Sequence, residues 1–312
     1  MRFSPLPDDA RVLAVDVGGG TIKGELVDEQ AGILSSAAWP TPPAKNAVDT
    51  IARLGRHLID QVEAEGGGHV SRAGLVIPGI VDRERGRGVY SGNVGWRQLD
   101  FRPTLQSAWD VPVLLDHDVT IAGWAEWQVG AGRECDDMFF VALGTGVAAA
   151  IVAGGRLLRG GLSQGGEFGH VVVRPGGPVC SCGGSGCLEA VSSASAIARA
   201  YTASSGQPVE GAADVLDAMT ADPVAVRVWE EALSALADGL VGVVNLLSPA
   251  RIVLGGGLAA SGDALVEPLR HAVAERVNVV PIPEIVPARF GRRAGVVGAG
   301  LLARRGGTGT DE

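Results

Sequence analysis

Short apolar runs alternate along the chain with segments whose apolar residues recur every three or four positions. The first run, Arg11–Val17, ends at three glycines, and an extended pattern resumes over Thr21–Val27. This order predicts a strand, a glycine turn and a second strand. The same plan returns where Met138–Leu143 and Val147–Ala153 flank another glycine turn. The weak internal repeat predicts two related lobes.

Further strands and helices are predicted between and after these two hairpins. Apolar runs bounded by polar, glycine or proline residues predict buried strands, and apolar spacing of three and four predicts helices. The predicted strands are 73–77, 111–115 and 251–254, and the predicted helices are 47–65, 223–247 and 295–304. This alternation is typical of α/β proteins. The last residues, 305–312, are predicted to form a frayed tail.

Composition supports a globular chain with many sharp turns. Of its 312 residues, 47 are Gly, about twice the usual share. These glycines are spread among apolar segments rather than massed in one tract, which argues against low complexity. The length suggests about two domains of ordinary size.

The charge balance excludes some classes of partner. The formal net charge is −9, and binding to phosphate-rich surfaces requires clustered cations. A broad nucleic-acid or anionic-membrane surface is therefore not expected, although a small local anion site remains open. The chain starts without an apolar segment behind a basic patch and has no apolar run long enough to span a membrane. We expect a soluble, cytoplasmic protein.

Three glycine turns directly follow apolar strands and are candidate anion sites. They are Gly18-Gly19-Gly20, Gly144-Thr145-Gly146 and Gly255-Gly256-Gly257. Glycine exposes backbone N–H groups that an anion can approach without obstruction by a Cβ atom. The alternative for each is a tight turn without a ligand. The chain has neither a Walker P-loop nor the GxGxxG dinucleotide fingerprint.

Asp16 closes the first predicted strand beside the first glycine turn. A carboxylate among phosphate-binding amides would repel the phosphate unless a cation lies between them. Mg²⁺ held largely through water satisfies this requirement. The alternative is that Asp16 caps the Gly18 turn.

A compact group of soft ligands predicts a structural zinc site. Cys180, Cys182 and Cys187 fall within eight positions, and His170 precedes them. Three thiolates and one imidazole form a closed tetrahedral set, and such clustering in a cytosolic chain favours a metal over a disulfide. By spacing alone, His170 is equally well explained as a satisfied polar residue. Cys135 lies outside the group and is expected to be a small buried side chain.

These residues carry a resemblance to a known family. Gly166-Glu167-Phe168-Gly169-His170, followed by the cysteine group, resembles the signature of the ROK family of repressors, open reading frames and sugar kinases. Other segments match the remaining motifs of that family in order. These segments are 16–23, 78–82, 143–146 and 252–257. The resemblance covers nearly the whole chain.

The resemblance implies the α/β fold of the actin and hexokinase type, in which two ribonuclease-H-like lobes bind ATP and a sugar. We expect a small N-terminal lobe, residues 1–117, with a C-terminal helix at about 294–305 packed back on it. Residues 118–293 are expected to form a larger lobe that carries the zinc loop. The resemblance also implies that the protein forms a homodimer or a higher homo-oligomer. The implied nucleotide-binding residues are Asp16, Thr21, Lys23 and the three glycine turns.

The family's catalytic Asp lies in an Asn-Asp-x-Asn segment, eight residues before a Glu. Counting back from Glu126 identifies Asp118 as the general base, with Asp116 as the second candidate. His117 stands where the family has a sugar-contacting Asn, and Thr120 replaces the second Asn. Gly20 stands where the first motif commonly carries Thr, which removes a hydroxyl near the phosphates. These departures weaken the inference about sugar specificity more than the inference about catalysis.

The remaining implied contacts concern the sugar. Glu167, His170 and Glu189 match residues that bind sugar hydroxyls, and His117 and Asp118 are further candidate sugar contacts. A carboxylate can accept two O–H bonds. Asn93 resembles a sugar-loop residue, with a plain turn Asn as the alternative. His170 could bind zinc with one ring nitrogen and the sugar with the other.

The predicted activity is that of an ATP- and Mg²⁺-dependent hexokinase of carbohydrate metabolism that phosphorylates the 6-hydroxyl of glucose. Fructose, mannose or an N-acetylhexosamine is the nearest alternative substrate, and a non-catalytic sugar sensor is the alternative from another class. A DNA-binding repressor is not favoured, because the first phosphate motif begins within twenty residues of Met1. A polyphosphate-dependent glucokinase is less favoured, since that branch generally lacks the cysteine group.

Overall fold

The computed structural model describes residues 4–7, 9–66 and 68–309. The chain divides into two units, one formed by residues up to Ala125 together with those from Arg293 onward, and the other by Glu126–Arg292. Each unit is built on one five-stranded mixed sheet with helices packed against it. Within the described ranges, no helix has the length and apolar character needed to cross a membrane.

The sheet of the first unit has the order β3-β2-β1-β4-β8, in which β1 pairs antiparallel with β2 and parallel with β4. Its strands are β1 Arg11–Val17, β2 Thr21–Val27, β3 Ile33–Pro40, β4 Val70–Ile77 and β8 Val113–His117. A small antiparallel sheet contains β5 Ile80–Asp82, β6 Arg87–Tyr90 and β7 Arg97–Asp100. The helices are α1 Ala47–Ala64, α2 Phe101–Trp109, α3 Asp118–Val129, which continues into the second unit, and α9 Ala294–Arg305.

The sheet of the second unit has the order β11-β10-β9-β12-β13. Its strands are β9 Met138–Leu143, β10 Val147–Ala153, β11 Arg156–Leu158, β12 Arg251–Gly255 and β13 Glu284–Pro287. The helices are α4 Leu188–Ser192, α5 Ala194–Ser205, α6 Ala212–Ala218, α7 Pro223–Leu247 and α8 Asp263–Arg276. Both five-stranded sheets place an antiparallel three-stranded meander beside two parallel strands, which confirms the internal repeat predicted from the two hairpins.

The long helix α7 starts and stops where its local sequence dictates. Asp222 is its N-cap and accepts a hydrogen bond from the Val224 N–H at 2.8 Å, and Pro223 occupies a position where a missing N–H costs nothing. Ser248 adopts a left-handed conformation and closes the last turn. One face of α7 is buried in the core of the second unit.

The C-terminal helix α9 packs against β1 and β4 of the first unit. Just before it, Arg293 forms a bidentate pair with Glu25 on β2, at 2.8 and 2.9 Å. Arg305 belongs to α9 and Thr308 is buried, so the prediction of a frayed tail from residue 305 was wrong for these residues. Residues 310–312 lie outside the described part of the chain.

One predicted strand is displaced by two residues. The run 111–115 predicted a strand, whereas β8 comprises Val113–His117. Asp110 ends α2 in a left-handed conformation, and Pro112, which has no N–H, precedes the strand and accepts a hydrogen bond from the Ala73 N–H at 2.9 Å. The shift places Asp116 and His117 within the strand, directly before α3.

Candidate active site and metal centre

The first glycine turn is held by two kinds of backbone contact. The Gly18 N–H donates to the Thr21 carbonyl at 2.9 Å. Thr41 donates its hydroxyl to the Gly18 carbonyl at 2.7 Å and its N–H to the Gly20 carbonyl at 3.1 Å. Among the described residues, the N–H groups of Gly19 and Gly20 have no acceptor, and both glycines are exposed. Thr41 is a functional candidate that the sequence did not reveal, because it contacts the turn from 23 positions away.

Gly20 does not require the special properties of glycine. A Cβ atom added at Gly20 would have nothing within 4 Å, and its φ lies outside the left-handed region. The backbone therefore accommodates the Thr that the family resemblance places there. The missing hydroxyl is a chemical difference and not a steric one.

Asp16 lies at the end of β1 beside this turn and is only 8% exposed. Its carboxylate is 3.7 Å from the Lys23 ammonium on β2. Burial raises the pKa of Asp16 to about 7; Lys23 opposes the rise and Asp118 adds to it. The Gly18 N–H donates to Thr21, so Asp16 does not cap that N–H.

The close packing of α9 depends on glycine at one position next to Asp16. A Cβ atom at Gly295 would lie 2.6 Å from the nearer carboxylate oxygen of Asp16. Gly295 therefore leaves room for this carboxylate at the first turn of α9. Since Asp16 is buried against the helix, a larger residue at 295 would displace it.

Asp116 and Asp118 differ in burial and in their partners. Asp116 is 2% exposed, accepts a hydrogen bond from the His117 N–H at 2.7 Å and lies 4.0 Å from the Arg83 guanidinium. Asp118 is the first residue of α3, and 21% of its side chain is exposed. Its Oδ1 accepts from the Val119 N–H at 2.7 Å and lies 3.2 Å from Nε2 of His117. Asp118 is the more accessible carboxylate.

Asn93 lies in the exposed turn between β6 and β7. Its Cβ is 4.0 Å from the position that a Cβ of Gly19 would occupy, so this turn adjoins the first glycine turn. The Ser91 N–H donates to the Trp96 carbonyl at 3.1 Å, and this hydrogen bond closes the turn. Trp96 is 1% exposed and packs edge-on against Phe101, which makes it a core residue.

In the second unit, the other two glycine turns lie side by side. The Gly144 N–H donates to the Gly146 carbonyl at 2.9 Å, and Thr145 is exposed. Gly256 has φ +83°, and a Cβ there would lie 2.3 Å from the carbonyl of Leu143, directly before the second turn. Glycine at 256 is thus required both by conformation and by close approach.

The predicted zinc ligands converge. Ligand atoms of His170, Cys180, Cys182 and Cys187 all lie within 4.8 Å of one another. The sulfurs of Cys182 and Cys187 are 3.8 Å apart, and Nδ1 of His170 is 3.7 Å from the sulfur of Cys180. Zn–S bonds of about 2.3 Å in a tetrahedron separate two sulfurs by about 3.8 Å. The residues therefore fit a tetrahedral zinc ion.

The thiols lie close enough to perturb one another's ionisation. Burial and the neighbouring thiols raise the pKa of Cys187 to about 12. Hydrogen bonds, first from the Gly184 backbone, lower the pKa of Cys182. Three adjacent thiolates repel one another without a cation between them. Cys135 is buried away from this group, as predicted.

The predicted sugar residues adjoin the cysteine group in different ways. Glu167 is exposed, and its Oε2 lies 3.7 Å from Nε2 of His170, the ring nitrogen that faces away from Cys180. Glu189 accepts from the Val147 N–H at 3.0 Å and from the Ser181 hydroxyl at 3.2 Å. Because Val147 begins β10 directly after the second glycine turn, Glu189 ties that turn to the cysteine loop. The sequence did not predict the contact of Glu189 with Val147.

Comparisons with known proteins show the family and the fold of the chain. A model of the ROK family matches residues 12–306. A glucokinase of Streptomyces coelicolor is 32% identical over 315 residues, covering 94% of this chain and 97% of the relative. A ROK hexokinase structure from Thermus thermophilus has a TM-score of 0.79 and 32% identity, covering 94% of this chain and 97% of that one.

A ROK family glucokinase structure from Streptomyces griseus, in complex with glucose and AMPPNP, has a TM-score of 0.81 and 31% identity, covering 95% of this chain and 99% of that one. These likenesses define an α/β protein with the actin and hexokinase type of ATPase fold. Within that class, the chain belongs to the ROK family.

Proposed function

We propose that the protein is an ATP-dependent hexokinase that transfers the γ-phosphoryl group of ATP to the 6-hydroxyl of glucose. The likeness to glucokinases over nearly the whole chain supports the substrate and the phosphate donor. The observation that carries the chemistry is Asp118, an accessible carboxylate whose Oδ2 has no hydrogen-bond donor among the described residues. A general base requires such a free oxygen to receive the hydroxyl proton.

In the proposed reaction, Oδ2 of Asp118 accepts the proton of the sugar 6-hydroxyl. The hydroxyl oxygen forms a bond to the γ-phosphorus as the bond from that phosphorus to the bridging oxygen of ADP breaks. Asp116 is not suited to this role, because it is buried and already accepts the His117 N–H. Phosphoryl transfer depends mainly on positioning and on neutralising phosphate charge.

The glycine turns are proposed to bind the phosphates and adenosine of ATP. Exposed N–H groups of Gly19 and Gly20 and the adjoining Thr21 and Lys23 support this role in the first unit, as Gly144-Thr145-Gly146 and Gly255-Gly256-Gly257 do in the second. When bound, Mg²⁺ supplies the positive charge that neutralises the transferring phosphoryl group. Asp16 fits the task of holding it through water, since its carboxylate lies beside amides that face an anion.

Asn93, Glu167, His170 and Glu189 are proposed to recognise the sugar. Both oxygens of Glu189 already accept one protein hydrogen bond, but each carboxylate oxygen has capacity for another. Zinc bound by His170, Cys180, Cys182 and Cys187 would be structural and would orient His170, because its four ligands leave no open position. We also propose a cytoplasmic homodimer, which gel filtration with light scattering would test.

A hexose panel with ATP tests the proposed function. ADP release is measured by a coupled assay with glucose, fructose, mannose and N-acetylmannosamine, and sugar binding is measured in parallel by calorimetry. We expect glucose to have the highest kcat/KM. Higher kcat/KM with another hexose would reassign the substrate, and sugar binding without ADP release would identify a sensor instead.

A further inference from the structure

His117 and Thr120 are the two positions at which the catalytic segment departs from the family pattern, and the structure joins them. Nδ1 of His117 lies 2.9 Å from the Thr120 hydroxyl and 3.3 Å from the Thr120 N–H. Nε2 of the same ring lies 3.2 Å from Oδ1 of Asp118. Both ring nitrogens are therefore engaged within one turn of chain.

The backbone partner decides which nitrogen carries the proton. A backbone N–H can only donate, so Nδ1 of His117 acts as an acceptor toward Thr120. In a neutral imidazole, the proton then sits on Nε2, which lies 3.2 Å from Oδ1 of Asp118. The Thr120 hydroxyl can donate to the same Nδ1 and reinforces this tautomer.

We propose that His117 is a positioning residue that orients the carboxylate of Asp118, an inference that rests on the proposed role of Asp118 as general base. Oδ1 accepts the Val119 N–H at 2.7 Å and lies 3.2 Å from Nε2 of His117. These two contacts fix the rotation of the carboxylate and leave Oδ2 to accept the proton of the sugar hydroxyl. Thr120 acts through His117 by holding its tautomer.

This role replaces the direct sugar contact that the family resemblance implies for position 117. An Asn at this position would offer its amide to sugar hydroxyls, whereas Nε2 of His117 lies 3.2 Å from Oδ1 of Asp118. The charged groups around Asp118 include Asp16 on β1, whose ionisation Asp118 opposes, and Lys23 on β2, which pairs with Asp16.

The kinetic test separates a positioning role from a sugar contact. In His117→Ala, we expect kcat to fall about 10- to 100-fold with the KM for glucose within about twofold of wild type, because a misoriented base slows chemistry. His117→Gln, whose amide N–H can reach Asp118, should recover most of kcat. His271→Ala is the control, since His271 is 78% exposed and pairs only with Glu275 among the described residues. A raised glucose KM with unchanged kcat in His117→Ala would overturn the proposal.

A second measurement does not depend on turnover. In the wild-type protein with ¹⁵N-labelled histidine, two-bond ¹⁵N–¹H correlation should identify the Nε2–H tautomer at His117, with the signal assigned by its loss in His117→Gln. Thr120→Val, which keeps the backbone N–H, should preserve the tautomer. A proton on Nδ1 would overturn the inference. A wild-type protein with the Nε2–H tautomer but no ADP release from any hexose would refute the proposed function and leave the orientation of Asp118 by His117 supported.

Discussion

The two glycine hairpins have the same backbone plan but different chemistry at equivalent positions. In the first, the cross-strand pair one step before the turn is Asp16 opposite Lys23; in the second, it is Ala142 opposite Ala148. Thr41 donates hydrogen bonds to two carbonyls of the first turn. The first hairpin thus combines backbone N–H groups that have no acceptor among the described residues with an ion pair between buried Asp16 and half-buried Lys23.

The second hairpin is uncharged and is held from outside. Its Gly144 carbonyl accepts the Ala194 N–H at the start of α5, at 2.9 Å, and its Val147 N–H donates to Glu189. Glu189 in turn accepts from Ser181 of the cysteine loop. If the turns bind phosphate as proposed, the repeated backbone supplies the N–H groups, and the neighbouring side chains decide whether the hairpin can also hold a cation.

The largest expected effect concerns the support of the second hairpin. Removing zinc with a chelator, or replacing Cys187 by Ser, should lower the thermal unfolding midpoint by more than about 10 °C, because structural zinc contributes several kcal/mol. Metal analysis of the wild-type protein should find about one zinc per chain. Cys135→Ser, outside the metal group, is the matched control. A folded, active and metal-free preparation would contradict this account.

The buried Asp16 should make stability depend on pH in the absence of Mg²⁺ and nucleotide. Its pKa is about 7 in the folded chain and near 3.8 when unfolded, so its stabilising contribution is complete below pH 3.8 and is lost as pH rises through about 7. Asp16→Asn should therefore increase the free energy of unfolding by about 2–4 kcal/mol at pH 8, and by almost nothing near pH 4. Urea unfolding at both pH values measures this; an equal gain at each would exclude the explanation.

A substitution in the first hairpin should reduce activity, whereas a substitution at the equivalent position of the second hairpin should not. Asp16→Asn is expected to reduce kcat about 100-fold at saturating sugar, since it removes the charge that is proposed to hold Mg²⁺ beside the phosphates. Ala142→Ser, the corresponding change of polarity in the second hairpin, should stay within about threefold of wild type. Steady-state kinetics at varied Mg²⁺ concentration tests the contrast. Comparable losses in both variants would show that the hairpins are not specialised.

The smallest effect is expected at Gly20. The space around a new Cβ is empty, so Gly20→Thr should leave the unfolding midpoint unchanged and lower the KM for ATP by about twofold to fivefold through one added hydroxyl. Gly20→Val, of nearly the same shape, is the control. If Val improves the KM for ATP as much as Thr, the hydroxyl is not responsible.

The sequence predicted those parts of the fold whose apolar pattern is local. The bounds of β1, β2, β9 and β10 were predicted correctly, because each of these strands borders a glycine turn. The edge strand β3 was missed because its side chains are exposed or half-buried and carry no clear apolar run. The small sheet β5–β7 was missed for the same reason, since most of its residues are partly exposed.

The candidate site likewise contains residues that a local sequence pattern predicted and contacts that no local pattern could predict. Three cysteines within eight positions predicted a metal group from spacing, while His170 required the family resemblance. The contacts of Thr41 with the first turn and of Glu189 with Val147 join residues 23 and 42 positions apart, so no local pattern could predict them. The contact of His117 with Asp118 depends on β8 ending at His117, two residues beyond the predicted end.

The central claim is that Asp118 is the base of an ATP-dependent glucose kinase, and replacing it by Asn tests this most directly. The amide keeps the shape of the side chain but cannot accept the hydroxyl proton. We predict that kcat with glucose and ATP falls at least about 1000-fold, while calorimetry shows glucose binding within about threefold of wild type. Turnover within about tenfold of wild type, with the protein folded and glucose bound, would contradict the account.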